Sequence, residues 1–430
     1  MKKIVVVGGG AGGMELVKKL GNKLGRTKQA EIILIDISNY HIWKPLLHEL
    51  ATGSLDEASD GIYYQVHGAQ NGYRFEHGAL SGLDKDNQQV IIAPLFNSQG
   101  EQVLAERRID YDYLVLGIGA VSNDFGTPGV AEHAYTLDLI EQAMQLRERV
   151  QHLFMQSASG QHQGDLRISI VGAGATGVEL AAELQHLALT LSHYDSRLDA
   201  EQLKLTLIEA SDTVMPALPQ AELRQMVYDK MMELGIDVRT NTMVTKLESN
   251  GLETKNGDFI EADLMVWAAG VKAPEVLATL DLKVNRANQI MVDDTGRSNS
   301  HSNIFAFGDC AAVPQPNGQF LPPRGQTARQ MALLVGDNLI SLIRNPNHAQ
   351  MKHYLYKDLG SFVNMSRFKT VGNMFSHWGG GLQVAGMPAR FVYASLYRRH
   401  LLAMHGPIKG SLLLFVNGVQ SLLKPHLKLW

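Results

Sequence analysis

A glycine-rich turn near the start of the chain constrains the fold more than any other stretch. Four apolar residues at positions 4–7 predict a short buried strand, which runs directly into the G-x-G-x-x-G pattern of Gly8, Gly10 and Gly13. Apolar residues then recur at helical spacing, and a second apolar run ends in Asp36, 23 residues after Gly13. This order of strand, turn, helix, strand and acid predicts a dinucleotide-binding unit.

Each glycine of this turn has a physical reason. Gly8 allows the tight turn, Gly10 lets the backbone approach a pyrophosphate, and Gly13 lets the helix pack on the strand. Gly12 belongs to the same turn and is assigned with them to the cofactor site. The helix N-terminus offers unpaired N–H donors to phosphates, and Asp36 is expected to accept a hydrogen bond from a ribose hydroxyl.

The same unit recurs at a constant offset of 164 residues. Gly172, Gly174 and Gly177 repeat the glycine pattern, and Glu209 ends the second strand 32 residues after Gly177. This longer spacing predicts a longer helix or an inserted turn, and two such units predict two dinucleotides. Glu209 is expected to hold the adenosine ribose, and no Lys or Arg follows it before Arg224. A 2′-phosphate would meet a carboxylate without a local cation, which favours NADH over NADPH.

Three further apolar strands end in glycine, which suits a close approach of the backbone to a nucleotide. The strands that end at Gly119 and Gly270 are predicted to return to the sheets of the first and second units. A third strand ends in Gly308 and Asp309. Beside a dinucleotide fold, Asp309 is expected to contact the ribitol or pyrophosphate region of a flavin, and a plain turn is the alternative.

A helix is predicted directly after Pro322 and Pro323, and it carries Gln326 and Gln330. At positions i and i+4 the two glutamine side chains share one face of the helix. Taken alone, the residues favour a solvated helix face, and a ligand-binding role is the alternative.

The residue inventory excludes several kinds of chemistry. Cys310 is the single cysteine among 430 residues, so the chain can form no internal disulfide, redox-active cysteine pair or cysteine-based metal cluster. The 16 histidines are scattered, without an H-E-x-x-H pattern or a calcium loop, so no metal site is expected. The chain also carries no nucleic-acid-binding motif, and no nucleic acid is expected as a partner.

The last part of the chain is both basic and apolar. After Asp358 it contains eight Lys and Arg and no Asp or Glu, although the whole chain has a formal net charge of −4. Residues 389–405 mix arginine with aromatic and aliphatic residues, and 411–423 form a second apolar stretch too short to cross a bilayer. Residues 388–430 are therefore expected to bind a membrane surface. A core helix or the interface of a homodimer is the alternative.

Together these motifs resemble the two-dinucleotide-binding-domain flavoproteins and, among them, the type II NADH dehydrogenases, which are single-subunit NADH:quinone oxidoreductases that do not pump protons. The resemblance covers essentially the whole chain, and it is carried by the segments WKPLLHELATGSL, NIFAFGDCA, PPRGQTARQMA and the basic C-terminus. Two departures are visible. The family's Ala-Thr-Gly is Gly117-Ile118-Gly119 here, and its Ala-Gln pair is Gly325-Gln326.

The motifs and the resemblance predict an α/β fold with two Rossmann-like domains and a C-terminal amphipathic, membrane-anchoring segment. Non-covalent FAD is expected in a domain formed by residues 1–120 and 285–355, NADH in residues 121–284, and membrane association in residues 356–430. The implied reaction is hydride transfer from NADH to FAD, followed by transfer of two electrons to a membrane quinone near the glutamine helix. The implied location is the cytoplasmic face of the bacterial inner membrane.

Glu179 is the side chain of most interest for this chemistry. It matches Glu15 of the first unit and lies in the first turn of its helix, where the helix dipole by itself favours a carboxylate. In the family the matching glutamate faces the flavin and the nicotinamide, which implies a role in hydride or proton transfer, whereas Glu15 is expected to be structural. A soluble, flavin-bearing redox sensor or interaction protein with slow NADH oxidation stays open, because fold does not decide function.

Overall fold

The computed structural model describes residues 1–315, 318–374 and 382–423. The chain divides into two compact units. The first unit consists of Met1–Lys44, Gly61–Val121 and Lys272–Lys357, and the second unit consists of Pro45–Asp60, Ser122–Val271 and Asp358–Trp430.

The strands are, in chain order, β1 Lys2–Val7, β2 Ala30–Asp36, β3 Tyr40–His41, β4 Ile62–Tyr63, β5 Arg74–His77, β6 Leu80–Asp84, β7 Gln89–Ile92, β8 Leu95–Phe96, β9 Gln102–Leu104, β10 Arg107–Asp110, β11 Tyr113–Leu116, β12 Val121–Ser122, β13 Ala134–Tyr135, β14 Leu166–Val171, β15 Leu203–Ile208, β16 Asp237–Arg239, β17 Val244–Glu248, β18 Gly251–Thr254, β19 Phe259–Glu261, β20 Leu264–Trp267, β21 Val271–Lys272, β22 Ile290–Met291, β23 Ile304–Ala306, β24 Ala311–Ala312, β25 Gly360–Met365, β26 Lys369–Met374 and β27 Leu382–Ala385.

The α-helices are α1 Ala11–Leu20, α2 Leu47–Ala51, α3 Glu57–Asp60, α4 Tyr64–Asn71, α5 Val130–His133, α6 Ile140–Ala158, α7 Ala175–Tyr194, α8 Ala221–Glu233, α9 Val276–Thr279, α10 Gly325–Arg344, α11 Met387–His405 and α12 Pro407–Leu423. A π-helical turn at Gly21–Gly25 and short 3-10 helices at Lys44–Leu46, Ala200–Gln202 and Gly308–Cys310 complete the helical segments.

A five-stranded parallel sheet in the order β23-β11-β1-β2-β5 forms the centre of the first unit. β1 is its middle strand, with Ile4 opposite Tyr113 on one side and Ile32 on the other. The four apolar residues that end β1 are at most 2% exposed. A parallel strand covered on both faces is a continuous apolar run, so the position of β1 explains its sequence. α1 and α10 pack against each other in this unit.

The second unit contains a matching parallel sheet in the order β13-β20-β14-β15-β16. β14 takes the central place that β1 has in the first unit. The helix that follows it, α7, is 20 residues long, and a turn and the 3-10 helix Ala200–Gln202 separate α7 from β15. The longer spacing before Glu209 is therefore both a longer helix and an inserted turn. The predicted pair of Rossmann-like units is confirmed.

The segment after Asp358 folds onto the second unit. β25, β26 and β27 form an antiparallel sheet, which α11 contacts on all three strands. α7 contacts β25, and α8 contacts β26. Among the described residues, no helix is long and apolar enough to cross a membrane. Residues 424–430 of the predicted membrane-binding segment, with Lys424 and Lys428, lie outside the described residues.

The units differ from the predicted domain boundaries. Residues 45–60 cluster with the second unit because α2 packs on α6 and α7, with Leu47 and Leu50 in its core. Residues 272–284 cluster with the first unit, and the C-terminal segment belongs to the second unit instead of standing apart. Contacts between segments that are distant in sequence set these boundaries.

Candidate functional site

The glycine turn of the first unit has no room for side chains at two of its positions. Gly8 has φ +103°, and a Cβ atom there would lie 2.3 Å from the carbonyl oxygen of Gly117. A Cβ on Gly13 would lie 1.9 Å from the carbonyl oxygen of Gly8. Gly10 is different, because a Cβ there would meet nothing within 4 Å. The backbone at Gly10 is therefore open to a ligand, directly before a helix that no side chain caps.

Gly12 faces the protein interior. A Cβ atom on Gly12 would lie 2.7 Å from the ring of Phe307 and 2.8 Å from the carbonyl oxygen of Ala328. The absence of a side chain at Gly12 therefore allows α1 to pack closely on α10. The sequence pattern alone assigned Gly12 to the cofactor site together with its neighbours.

The second unit repeats this geometry. Gly172 has φ +105°, and a Cβ atom on Gly177 would lie 1.9 Å from the carbonyl oxygen of Gly172. Gly174 again faces open space and precedes a helix, α7, that no side chain caps. The two turns thus have the same open backbone surface.

In both units, the acid that ends the second strand holds the glycine turn. Asp36 accepts the N–H of Gly9 at 2.5 Å through Oδ2 and the N–H of Ser38 at 2.8 Å through Oδ1. Glu209 accepts the N–H of Ala173 at 2.9 Å through Oε2 and the N–H of Ser211 at 3.0 Å through Oε1.

Oε1 of Glu209 also accepts the hydroxyl of Ser211 at 2.9 Å, so a ligand hydroxyl at this carboxylate would bind Oε2. The sequence pattern predicted the acid as a ribose ligand and missed this hydrogen bond to the turn. The one available signal was that each acid directly follows or ends its strand, beside the glycine turn.

Arg224, the first basic residue after Glu209, binds the protein backbone through one guanidinium nitrogen. Its Nη1 donates to the carbonyl oxygens of Leu218 and Pro219 at 2.8 and 3.2 Å.

Glycines at the strand ends also have defined roles. Gly119 and Gly270 have φ +74° and +64°, which favours glycine at both positions. A Cβ atom on Gly119 would meet nothing within 4 Å, whereas one on Gly117 would lie 2.2 Å from the Phe307 ring. The position of the Phe307 ring therefore requires glycine at position 117 in this chain.

Asp309 presents a buried acceptor that has no protein donor. Gly308, which precedes it, has φ +72°, and Oδ1 of Asp309 is buried without a hydrogen-bond partner among the described residues. Burial raises the pKa of Asp309, and the positive charge of Lys44 opposes this rise. A buried carboxyl oxygen without a partner suits a ligand hydroxyl donor, as a flavin ribityl chain would supply. On this observation the first unit fits FAD.

The two glutamines of α10 are both partly buried. The residues alone favour a solvated helix face, and the structure differs from that expectation. The amide of Gln330 is committed to the protein. Its Nε2 donates to the carbonyl oxygen of Lys357 at 2.9 Å, and its Oε1 accepts the hydroxyl of Tyr354 at 3.3 Å. Gln330 thus ties the segment before β25 to α10, and Gln326 lies one turn closer to the start of the helix.

Glu15 and Glu179 occupy matching positions, but their surroundings differ. Glu15 is 7% exposed, and its Oε1 pairs with Nε of Arg329 at 2.5 Å. This ion pair joins α1 to α10, so the structure supports the structural role predicted for Glu15.

Glu179 is 6% exposed and pairs with no arginine or lysine among the described residues. Its Oε1 accepts the N–H of Asn364 at 2.9 Å, and its Oε2 lies 3.7 Å from Nδ1 of His48. Burial raises its pKa to about 8, opposed by the Asn364 hydrogen bond and reinforced by the nearby carboxyl groups of Glu49 and Glu183. At neutral pH, Glu179 is therefore mainly a neutral acid that can donate a proton.

Sequence reasoning missed the residues around Glu179. Burial raises the pKa of Glu49 to about 8 and also raises that of Glu183, and it lowers the pKa of His48 to about 4. Glu183 is four residues after Glu179 on α7, a spacing that places both on one helix face. His48 and Glu49 come from a distant segment, and no local pattern brings them to this helix.

Cys310 is buried, and its Sγ donates to the carbonyl oxygens of Phe307 and Leu116 at 3.3 and 3.5 Å. Burial raises the pKa of its thiol to about 12. A thiol with so small a thiolate fraction is a poor nucleophile.

Comparison with known proteins agrees with this geometry. The family model for pyridine nucleotide-disulphide oxidoreductases matches residues 2–332. The type II NADH:quinone oxidoreductase of Haemophilus influenzae is 43% identical, over 100% of both chains. Its counterpart in Mycobacterium tuberculosis is 28% identical, over 93% of this chain and 84% of that one. The NDH2 structure from Plasmodium falciparum in complex with NADH shares the fold, with a TM-score of 0.83 and 18% identity, over 99% of this chain and 100% of that one.

The Glu15–Arg329 pair predicts a specific loss of stability. Arg329→Ala leaves a buried carboxylate without its cation, and we expect a loss of about 2 kcal/mol in the free energy of unfolding. This is below the ~3–5 kcal/mol of a fully buried pair, since the Arg329 side chain is 33% exposed. Urea unfolding measures it, with Arg344→Ala on the same helix as the matched control. Adding Glu15→Gln should recover part of the loss, and a double variant less stable than Arg329→Ala alone would contradict the pairing.

Proposed function

The chain belongs to the pyridine nucleotide-disulphide oxidoreductase family and, within it, to the type II NADH:quinone oxidoreductases, and we propose that it oxidises NADH through FAD held non-covalently in its first unit. It is an oxidoreductase that passes the electrons of NADH to a quinone. The observation that carries this conclusion is the pair of glycine turns, each held by a strand-end acid, in a chain alignable end to end with a type II enzyme.

The first unit supplies the groups that suit FAD. The uncapped N-terminus of α1 and the open backbone at Gly10 are available to the pyrophosphate. We place the ribose beside Asp36, which binds the N–H of Gly9 in the same turn. Asp309 Oδ1 is a buried acceptor for the ribityl chain. Bound FAD supplies a two-electron redox centre, and the protein contributes binding, orientation and electrostatics.

The second unit is the proposed NADH site. The open backbone at Gly174 and the uncapped start of α7 receive the pyrophosphate, and Glu209 receives the adenosine ribose. Glu209 also fixes the turn that it serves, because it binds the N–H of Ala173. Ribose recognition and turn geometry are therefore coupled through one carboxylate.

Glu179 is the proposed proton-handling residue. Its Oε1 is occupied by the N–H of Asn364, which leaves Oε2 to hold or deliver a proton. The N–H also fixes the orientation of the carboxyl group. Quinone reduction to quinol requires protons as well as electrons, so a positioned acid serves the reaction. We place the quinone near the glutamine helix, with Gln326 as the contact residue and Gln330 as a positioning residue that holds the segment before β25.

The C-terminal helices are the proposed membrane-binding surface. Exposed apolar side chains of α11 and α12 include Met387, Phe391, Ile408, Leu412 and Phe415, at 62–85% exposure. Burying four of them in lipid would contribute about 8 kcal/mol before orientational losses, at about 2 kcal/mol each. The same helices carry Arg390, Arg398, Arg399 and Lys409, which suits the anionic cytoplasmic leaflet of a bacterial inner membrane.

The function is tested by rapid mixing of the holoprotein under anaerobic conditions. NADH should bleach the flavin absorbance, and a short-chain quinone added next should restore it. If the flavin is reduced but quinone-dependent NADH oxidation is negligible, the proposal fails and a redox-sensing role is favoured instead.

Glu179→Gln is expected to slow flavin reduction or quinone turnover by about 100-fold, in the range of general acid–base catalysis. The amide can still accept the N–H of Asn364, so FAD content should stay at the wild-type level. Glu15→Gln is the matched control, because it removes the equivalent charge of the first unit and should change stability instead of rate. Wild-type rates in both half-reactions of Glu179→Gln would contradict the assignment.

The acidic turn after β15 predicts a preference for NADH over NADPH, and substitutions in this turn should reduce that preference. Glu209→Gln combined with Asp212→Arg exchanges two negative charges for one positive charge beside the ribose. We expect the ratio of kcat/KM for NADPH to that for NADH to rise at least about tenfold, which corresponds to about 1.4 kcal/mol. The two single variants separate the contributions. A wild-type enzyme that prefers NADPH would overturn the assignment of Glu209.

The membrane-binding surface is best tested by changes that spare the core. Deleting residues 388–430 would also remove Ala389, Leu401 and Met404, which are buried. We therefore expect deletion of residues 407–430 to be the cleaner variant. It should keep FAD and reduce a water-soluble quinone but turn over membrane quinone poorly, and it should fail to float with anionic vesicles.

Ile408→Ser with Phe415→Ser should weaken vesicle binding in the full chain. Phe96→Ser with Val103→Ser is the matched control, because these side chains of the first unit are 55% and 56% exposed. If the deletion variant still sediments with membranes after a high-salt wash, the membrane-binding surface lies elsewhere. A change from dimer to monomer with unchanged vesicle binding would instead assign these helices to a dimer interface.

A further inference from the structure

Four ionisable side chains meet in the interior of the second unit where α2 packs on α7. His48 and Glu49 come from α2, and Glu179 and Glu183 come from α7. We call these four residues the buried cluster. One ligand-type atom each from His48, Glu49 and Glu183 lie within 4.8 Å of one another. His48 is 2% exposed and Glu183 is 4% exposed.

The imidazole of His48 is oriented with one nitrogen free. His48 hydrogen-bonds the backbone carbonyl of Pro45, while its Nε2 is buried without any hydrogen-bond partner. The bond to Pro45 is therefore made by Nδ1, which must carry the hydrogen because a carbonyl only accepts. Nε2 is then unprotonated and carries a lone pair. It lies 4.0 Å from Oε1 of Glu49. A backbone carbonyl that fixes the tautomer in this way is the usual support of a metal-binding histidine.

The carboxyl groups of Glu49 and Glu183, which lie near this lone pair, are acceptors when ionised. Glu183 accepts the hydroxyl of Ser54 at 3.2 Å and a hydrogen bond from Ser366, and Arg367 and Arg390 act on it only through their charge. Among the described residues, no lysine or arginine forms an ion pair with Glu49, Glu179 or Glu183. A buried carboxylate without a cation is strongly unfavourable, and an imidazole lone pair cannot satisfy it.

We propose that His48 Nε2 and the carboxylates of Glu49 and Glu183 bind one divalent cation of the Zn²⁺ or Mn²⁺ class. One imidazole nitrogen with two carboxylate oxygens suits such borderline ions better than Mg²⁺ or Ca²⁺, which take oxygen ligands. Zinc bonds of about 2.0–2.2 Å place neighbouring ligand atoms roughly 3.4 Å apart. The present separations are within 4.8 Å, so binding would draw the ligand atoms together by up to about 1.4 Å.

The cation would join two segments that are distant in sequence. It links α2, in the segment 45–60, to α7 of the dinucleotide-binding sheet. Three protein ligands leave a fourth position for water. This inference does not depend on the proposed reaction, because the site lies wholly within the second unit and is tested by binding.

The test uses the full-length holoprotein after dialysis against a chelator. Zn²⁺ alone is titrated by calorimetry, the metal retained after desalting is measured by mass spectrometry, and thermal unfolding is followed with and without Zn²⁺. We expect about one Zn²⁺ per chain and a rise in Tm. Mn²⁺ serves as a second probe through its paramagnetic resonance signal.

Glu49→Gln with Glu183→Gln should lower the Zn²⁺ affinity at least about tenfold and abolish the Tm shift. Glu132→Gln, an exposed carboxylate on α5 of the same unit, is the matched control and should bind like the wild type. His48→Gln provides a second variant if the double variant does not fold. If the wild-type protein retains neither Zn²⁺ nor Mn²⁺, the proposed site is wrong. The buried carboxyl groups would then be neutralised by protonation. Undiminished binding in the glutamine variants would equally overturn it.

Discussion

The hydrogen bonds from a strand-end carboxylate to the N–H groups of a glycine turn are the constraint on which both dinucleotide sites depend. Asp36 and Glu209 each accept a hydrogen bond from one N–H of the glycine turn. Each also accepts one from the N–H of the residue two positions after itself in the sequence. The turn needs this support because its glycines have no side chains to pack. Without these hydrogen bonds, the glycine backbone could adopt many other conformations. The acid therefore preorganises the phosphate-binding backbone before any ligand arrives.

Two units with the same sequence pattern nevertheless acquire opposite electrostatics. Glu15 meets an arginine that α10 supplies, so its charge is paired. Glu179 meets a backbone N–H of β25 and the side chains of α2, so its charge is unpaired and its pKa rises to about 8 through burial. The repeat specifies the local turn and helix, and chain segments from outside the repeat decide which of the two acids can exchange a proton. The repeated unit thus supplies the scaffold, and the segments that do not repeat determine the difference.

Much of the fold could be predicted because its signals are local. Glycine spacing, apolar runs and the 164-residue offset identified both sheets and both turns. The buried cluster could not be predicted, because no periodicity in the sequence brings His48 to α7. The same holds for residues 45–60, whose side chains are apolar enough for either unit, and for Gln330, whose partner is the carbonyl of Lys357. Such contacts depend on chain path and not on pattern.

The two departures from the family pattern have different physical origins. Glycine at position 117 is required by packing, because a Cβ atom would lie 2.2 Å from the Phe307 ring. Glycine at position 325 is not, because a Cβ atom there would meet nothing within 4 Å. A glycine at a helix start weakens it by up to about 1 kcal/mol relative to alanine. α10 tolerates this because Arg329 and Gln330, one turn further on, bind it to α1 and to the segment before β25. The helix start at Gly325 is thus held by its neighbours downstream, and the space beside Gln326 stays free of any side chain at position 325.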